Sequence, residues 1–173
     1  MEENQPKTGK IAWIYGLVAS LIGVTFSVML YAVDMLYDES VIIKIIPVII
    51  LAVAIILAII QFKKANNGFL KLSNALKLGA GIGVVSGIIG IIYFLFQINI
   101  LEPEYMNNMY EIGKQKALAS NPNLTIEQID QGIEIQKKFM WISYPIIIIF
   151  NIIIGLIVGL IGGLVMKKED LSI

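Results

Sequence analysis

The sequence has 173 residues, of which 57% are hydrophobic and only 15% are charged. Soluble domains average about 45–50% apolar and about 25% charged residues, and a chain of this length cannot bury so large an apolar fraction in water. A soluble domain and a disordered chain are therefore excluded. The composition predicts an integral membrane protein.

The residue types that are missing restrict the chemistry further. The chain has no Cys, His or Arg, so its thirteen basic residues are all lysines, and thirteen Asp and Glu balance them. Thiolate and imidazole chemistry are thereby excluded, and a net charge of zero gives no general attraction for nucleic acid. We expect no enzymatic activity, no cofactor and no nucleic-acid partner.

Four uncharged stretches predict four transmembrane helices and hence an all-α, polytopic fold. A helix needs about 20 apolar residues to cross the bilayer core. The stretches that meet this requirement give spans over residues 11–33, 42–62, 78–101 and 139–166. We expect them to form a single four-helix transmembrane domain that comprises residues 1–173.

The distribution of lysine predicts the orientation. With four spans, residues 1–10, 63–77 and 167–173 share one side and carry eight lysines and four acids. Residues 34–44 and 102–138 share the other side and carry five lysines and nine acids. Because lysine is enriched in cytoplasmic loops, both termini are expected to be cytoplasmic.

The connection between the second and third spans predicts a short extra helix. In residues 66–77, Phe69, Leu72 and Leu76 recur at helical spacing, and lysines occupy other positions. This pattern is typical of an amphipathic helix that lies on the membrane surface. We therefore expect a short interfacial helix on the cytoplasmic leaflet.

The connection between the third and fourth spans predicts a helical hairpin. Within residues 102–138, Pro103 suits the first turn of a helix, and the pair Thr125 and Gln128 has the capping-box pattern that begins another. We expect these two helices on the extracytoplasmic side. The second should run into the fourth span, which Pro145 is expected to bend near its start.

Rows of glycine are the strongest local pattern in the spans. They recur at intervals of four in the third and fourth spans, at Gly79, Gly83, Gly87, Gly155, Gly159 and Gly163. Such rows let helix backbones approach closely. Packing within one chain is the simpler interpretation, and a seam between two copies in a homo-oligomer is the alternative.

Few polar side chains lie within the spans or beside them, where transport or metal binding would need them. Asn151 lies near the middle of the fourth span and is expected to hydrogen-bond a neighbouring helix, with a substrate contact as the alternative. Acids on the expected outer side offer oxygen ligands for Ca²⁺ or Mg²⁺. Since they form no recognised motif, we predict no metal site; these acids are Asp34, Asp38, Glu39, Glu102 and Glu104.

Several of these features occur together in a known family. They are the four-span layout, the Asn67-Gly68-Phe69 turn, the run from Ser73 to Gly79, the acidic-Pro-x-Tyr stretch from Glu102 to Tyr105, and the Thr-led helix before the last span. In these, residues 8–168 resemble the bacterial membrane family called domain of unknown function 4199. The resemblance implies a multi-pass protein of the bacterial inner (plasma) membrane and supplies no catalytic residue.

The sequence as a whole favours a non-enzymatic accessory or structural membrane component. Such a protein acts through contacts with the lipid bilayer and with a membrane-protein partner or a second copy of itself. The alternative is a small oligomeric transporter or channel that uses Asn151 and the glycine-rich helices around it.

Overall fold

The computed structural model describes residues 6–168 and consists of helices with short connections. Six α-helices follow in chain order: α1 (Thr8–Ala32), α2 (Val41–Ala65), α3 (Leu72–Phe96), α4 (Tyr105–Ser120), α5 (Ile126–Lys138) and α6 (Ser143–Met166). A π-helical turn, Gln97–Leu101, extends α3, and a 3₁₀ turn, Met140–Ile142, precedes α6.

Four helical segments are long and apolar enough to cross a membrane: Thr8–Ala32, Val41–Ala65, Leu72–Leu101 and Met140–Met166. The predicted all-α fold with four spans is thereby confirmed. Large apolar side chains remain exposed on all four. Such a surface suits hydrocarbon, whereas a soluble helix would turn its apolar stripe inward and leave a polar face outside.

The chain divides into two compact units. The first contains the residues up to Gly90 together with those from Ile147 onward, and the second is Ile91–Ile146. The first unit thus holds α1, α2 and most of α3 and α6. The second unit holds α4, α5 and the two irregular turns beside them.

In the first unit, the contacts between helices set their directions. Gly16 of α1 lies against Val85 of α3, and Ala12 lies against Gly81, so α1 and α3 run parallel. Gly162 of α6 lies against side chains of α2. The core consists of aliphatic side chains and one Phe from near one end of the helices, including Ile55, Ile59, Phe62, Leu78 and Ile82.

In the second unit, local hydrogen bonds define the hairpin. The Thr125 side chain accepts from the backbone N–H of Gln128, and the Gln128 side chain accepts from the backbone N–H of Thr125. This confirms the predicted capping box at the start of α5. Lys114 of α4 forms a salt bridge with Asp130 of α5, and this contact joins the two helices.

Two details of the predicted connections are wrong. The short interfacial helix is not a separate element, because Leu72 begins α3 and the helix continues without a break into the third span. Nor does α5 run into the fourth span, since it ends at Lys138 and a 3₁₀ turn separates it from α6. Pro145 lies in the first turn of α6, where a missing N–H removes no helical hydrogen bond.

Candidate functional site

The glycines of α3 and α6 form a seam along which the two helix backbones meet. A Cβ atom added at Gly79 would fall on the carbonyl oxygen of Gly155, and one added at Gly155 would fall on the carbonyl oxygen of Gly79. At Gly159 it would lie 2.8 Å from the carbonyl oxygen of Ala75. The order of these contacts makes α3 and α6 antiparallel.

The seam extends in both directions from this pair. A Cβ at Gly83 would lie 2.5 Å from the carbonyl oxygen of Asn151, and one at Gly87 would lie 3.0 Å from the Cα of Ile148. A Cβ at Gly163 would meet side chains of α3 instead. All six predicted packing glycines therefore lie between α3 and α6 of the same chain. We call this contact the glycine seam.

Not every glycine in the spans belongs to a close contact. A Cβ at Gly23 or Gly90 would meet nothing within 4 Å. Gly16 of α1, by contrast, has the Val85 side chain against it, and its carbonyl oxygen accepts hydrogen bonds from Ser20 and Ser86. The contacts in the fold, and not the residue type, distinguish these positions.

In the part of the chain that the structure describes, the Asn151 side-chain amide donates within its own helix. Its amide Nδ2 donates to the carbonyl oxygen of Ile147, one turn earlier in α6, at 2.9 Å. The expected interhelical hydrogen bond is therefore absent at this donor. Since Gly83 leaves no side chain at the contact, the backbone of α6 at Asn151 lies directly against α3.

A second cluster joins the end of α2, the start of α3 and the end of α6. The backbone groups of Leu70 and Lys168 exchange two hydrogen bonds, of 2.8 and 3.0 Å. The Lys63 ammonium donates to the carbonyl oxygen of Met166 at 2.8 Å, and Lys168 lies 5.8 Å from the ring centroid of Phe69. We call residues 6–10, 63–77 and 167–168 the lysine-rich end.

Sequence reasoning did not find the ties that hold the lysine-rich end together, since they join residues about a hundred positions apart. It also missed Asn74, which lies in the first turn of α3. This side chain is only 9% exposed, and its buried Nδ2 atom has no hydrogen-bond partner among residues 6–168. The pattern of residues 66–77 does not predict that this amide is buried.

The hairpin carries a groove of about 550 Å³ between α4 and α5. Its lining is mainly apolar and includes Met106, Met109, Tyr110, Ile129 and Ile133. At its side, the hydrogen bond to Asp130 raises the pKa of the Lys114 ammonium above its ordinary value. The Lys114 ammonium therefore stays charged through the physiological pH range.

The acidic side chains do not assemble a metal site in the part of the chain that the structure describes. Within residues 6–168, no three Asp or Glu side chains are placed to hold one ion. Asp38 instead accepts a hydrogen bond from the backbone N–H of Ser40, which precedes α2. Glu39 lies 4.0 Å from the Lys44 ammonium.

Comparison with known proteins places the chain in a family. The family described as "Protein of unknown function (DUF4199)" matches residues 14–168. No curated protein and no solved structure matches the chain. Since the match covers most of the sequence, including most of the first span, the other three spans and the hairpin, the chain belongs to the family of proteins of unknown function called DUF4199.

Proposed function

We propose that the protein is a non-enzymatic accessory component of a bacterial inner membrane, whose hairpin binds a membrane-protein partner. The observation that carries this proposal is the lack of a core in the hairpin. Although the structure describes every residue from 105 to 138, α4 and α5 contain no buried residue. Two helices of this length are marginal in water without tertiary packing, so the hairpin needs a surface to pack against.

The chemistry of the hairpin favours protein over lipid as that surface. Its groove combines Met and Tyr side chains with aliphatic ones, and Met and Tyr are enriched at protein interfaces. Lys114 lines the groove and pairs with Asp130, and charged side chains of this kind suit the polar rim of an interface. Charges of both signs beside an apolar groove suit a protein surface that presents complementary charges.

Site-specific photocrosslinking in native membranes tests the proposal. A photoreactive residue at Ile133, in the groove, is expected to crosslink to one discrete polypeptide, whereas the same residue at the exposed Gln115 is not. The substitution Met109→Lys should abolish the crosslink, and the matched control Gln131→Lys, outside the groove, should preserve it. Amide exchange in α4 and α5 should be slow in native membranes and fast in the purified protein.

Two results would overturn this assignment. Crosslinks only between differently tagged copies of this chain would make the groove a homo-oligomer contact. Adducts only with lipid, together with unchanged amide exchange after purification into micelles, would show that the bilayer covers the hairpin.

The orientation belongs to the same proposal and has its own test. The lysine-rich end is expected in the cytoplasm and the hairpin outside it, because lysine favours the cytoplasmic side. A reporter that is active only in the cytoplasm should work when fused after Ile173 and fail when inserted at Asn121. The reverse pattern would invert the topology and place the partner in the cytoplasm.

The transporter alternative receives less support. A substrate route would need Asn151 or another polar group available within the spans. The Asn151 side-chain amide donates to its own helix, and the backbone carbonyl of Asn151 lies against Gly83.

A further inference from the structure

We infer that the lysine-rich end binds the phosphate of an anionic phospholipid through a cluster of exposed ammonium groups. The segments that form this end, residues 6–10, 63–77 and 167–168, contain eight lysines and no acid. The four acids of the flanking segments, Glu2, Glu3, Glu169 and Asp170, lie outside the described residues. Such a concentration of one charge is typical of surfaces that contact anionic lipid.

The fold brings these lysines to one place. The paired backbones of Leu70 and Lys168 attach the end of α6 to the turn before α3, and Lys63 attaches it to the end of α2. Because α1 runs parallel to α3, its N-cap residue Lys7 and Lys10 in its first turn lie at the same end. Four helix ends therefore contribute to a single basic surface.

Most of these lysines are available for a ligand. Lys63 is engaged by the Met166 carbonyl and Lys168 by the Phe69 ring. Six others are exposed and form no ion pair with an acid of residues 6–168; they are Lys7, Lys10, Lys64, Lys71, Lys77 and Lys167. Ammonium groups on flexible stems suit a phosphate as point charges, without the bidentate geometry of arginine.

Neighbouring apolar side chains indicate that the phosphate belongs to a lipid. Trp13 lies one turn after Lys10 and is 56% exposed, a position typical of the interface between headgroups and hydrocarbon. The helices that carry the lysines expose apolar side chains directly beyond it, for example Ile14 and Leu164. An anion attached to acyl chains satisfies both surfaces, whereas a free phosphate satisfies only the lysines.

Lipid titration of the full chain in detergent micelles tests the inference. Native mass spectrometry would measure binding of phosphatidylglycerol and of phosphatidylcholine with the same acyl chains, so that only the headgroup differs. The wild-type protein should prefer phosphatidylglycerol. Each lysine near an anionic surface changes the affinity about fivefold, so K64Q/K71Q should weaken phosphatidylglycerol binding about 25-fold.

Controls separate charge from folding. K64R/K71R keeps the charge and should bind as wild type, and K137Q/K138Q removes two hairpin lysines and should also bind as wild type. The wild-type preference should decline as salt is added, because exposed charges are screened; this readout requires no variant.

Three outcomes would overturn the inference. Equal affinity for the two lipids would show that the protein does not recognise the headgroup. Unchanged binding by K64Q/K71Q would show that these two lysines do not contribute to lipid binding. Saturation by glycerol phosphate at the same concentration as the lipid would make a soluble anion the ligand. None of these results depends on whether the hairpin binds a partner.

Discussion

Replacing Gly79 with alanine gives the sharpest test of the glycine seam. The added Cβ would lie 2.8 Å from the carbonyl carbon of Gly155 and closer still to its oxygen, whereas carbon atoms in contact are about 3.5–4.0 Å apart. The backbones of α3 and α6 would therefore have to separate by about 1 Å. Overpacking typically costs about 1–3 kcal/mol, and we expect the upper end because a backbone cannot rotate away as a side chain does.

The matched control is Gly90→Ala, in the same helix. A Cβ there would meet nothing within 4 Å, so alanine should stabilise the helix by about 0.5–1 kcal/mol. Unfolding of both variants in micelles, followed by circular dichroism, measures the difference. Equal stabilities for Gly79→Ala and Gly90→Ala would refute the seam. A folded Gly79→Ala monomer that has lost a wild-type dimer would instead place the seam between two copies.

Three further substitutions or conditions test other parts of the structure. Asn74→Leu removes a buried amide donor that lacks a partner and should stabilise the protein by about 1–3 kcal/mol, measured by thermal unfolding. Thr125→Ala removes the capping box and should destabilise α5 by about 1 kcal/mol, seen as faster amide exchange at Gln128. Hydrogen bonding raises the folded-state pKa of Lys114 above 10.5, so the contribution of its salt bridge to stability is full below that pH and is lost as the pH rises through the raised value. Spin-label distances between α4 and α5 should therefore stay constant at neutral pH and widen only under such alkaline conditions. The substitution Lys114→Gln should remove this change.

The sequence was sufficient for the spans because the bilayer constrains composition directly. A segment that crosses hydrocarbon has to exclude charge, so the uncharged stretches located all four. The helix ends were less well located, since charge marks where hydrocarbon ends and a helix can continue beyond it. α3 begins at Leu72 and includes Lys77. The segment predicted as a separate interfacial helix over residues 66–77 is therefore partly the start of α3.

The contacts of the candidate site depended on tertiary structure that no spacing encodes. A row of glycines indicates that a helix has a face for close approach, but Gly79 meets a backbone while Gly90 meets nothing. The Lys63 bond to Met166 joins positions that only the fold brings together. Local patterns fared better, as the capping box at Thr125 shows, because all of its atoms lie within one turn.

Four polar side chains within the spans help to explain why both proposals concern the ends of the helices. Ser20, Thr25, Asn99 and Asn151 each donate to the carbonyl oxygen four residues earlier in their own helix. Side chains bonded in this way satisfy their donors without a partner helix, so they offer little to a substrate that crosses the membrane. Most charged groups of residues 6–168 lie in the hairpin and at the lysine-rich end, and the others lie in residues 34–44 and 102–104. Contact chemistry at the hairpin and the lysine-rich end is therefore where substitutions should change function, whereas substitutions within the spans should change stability.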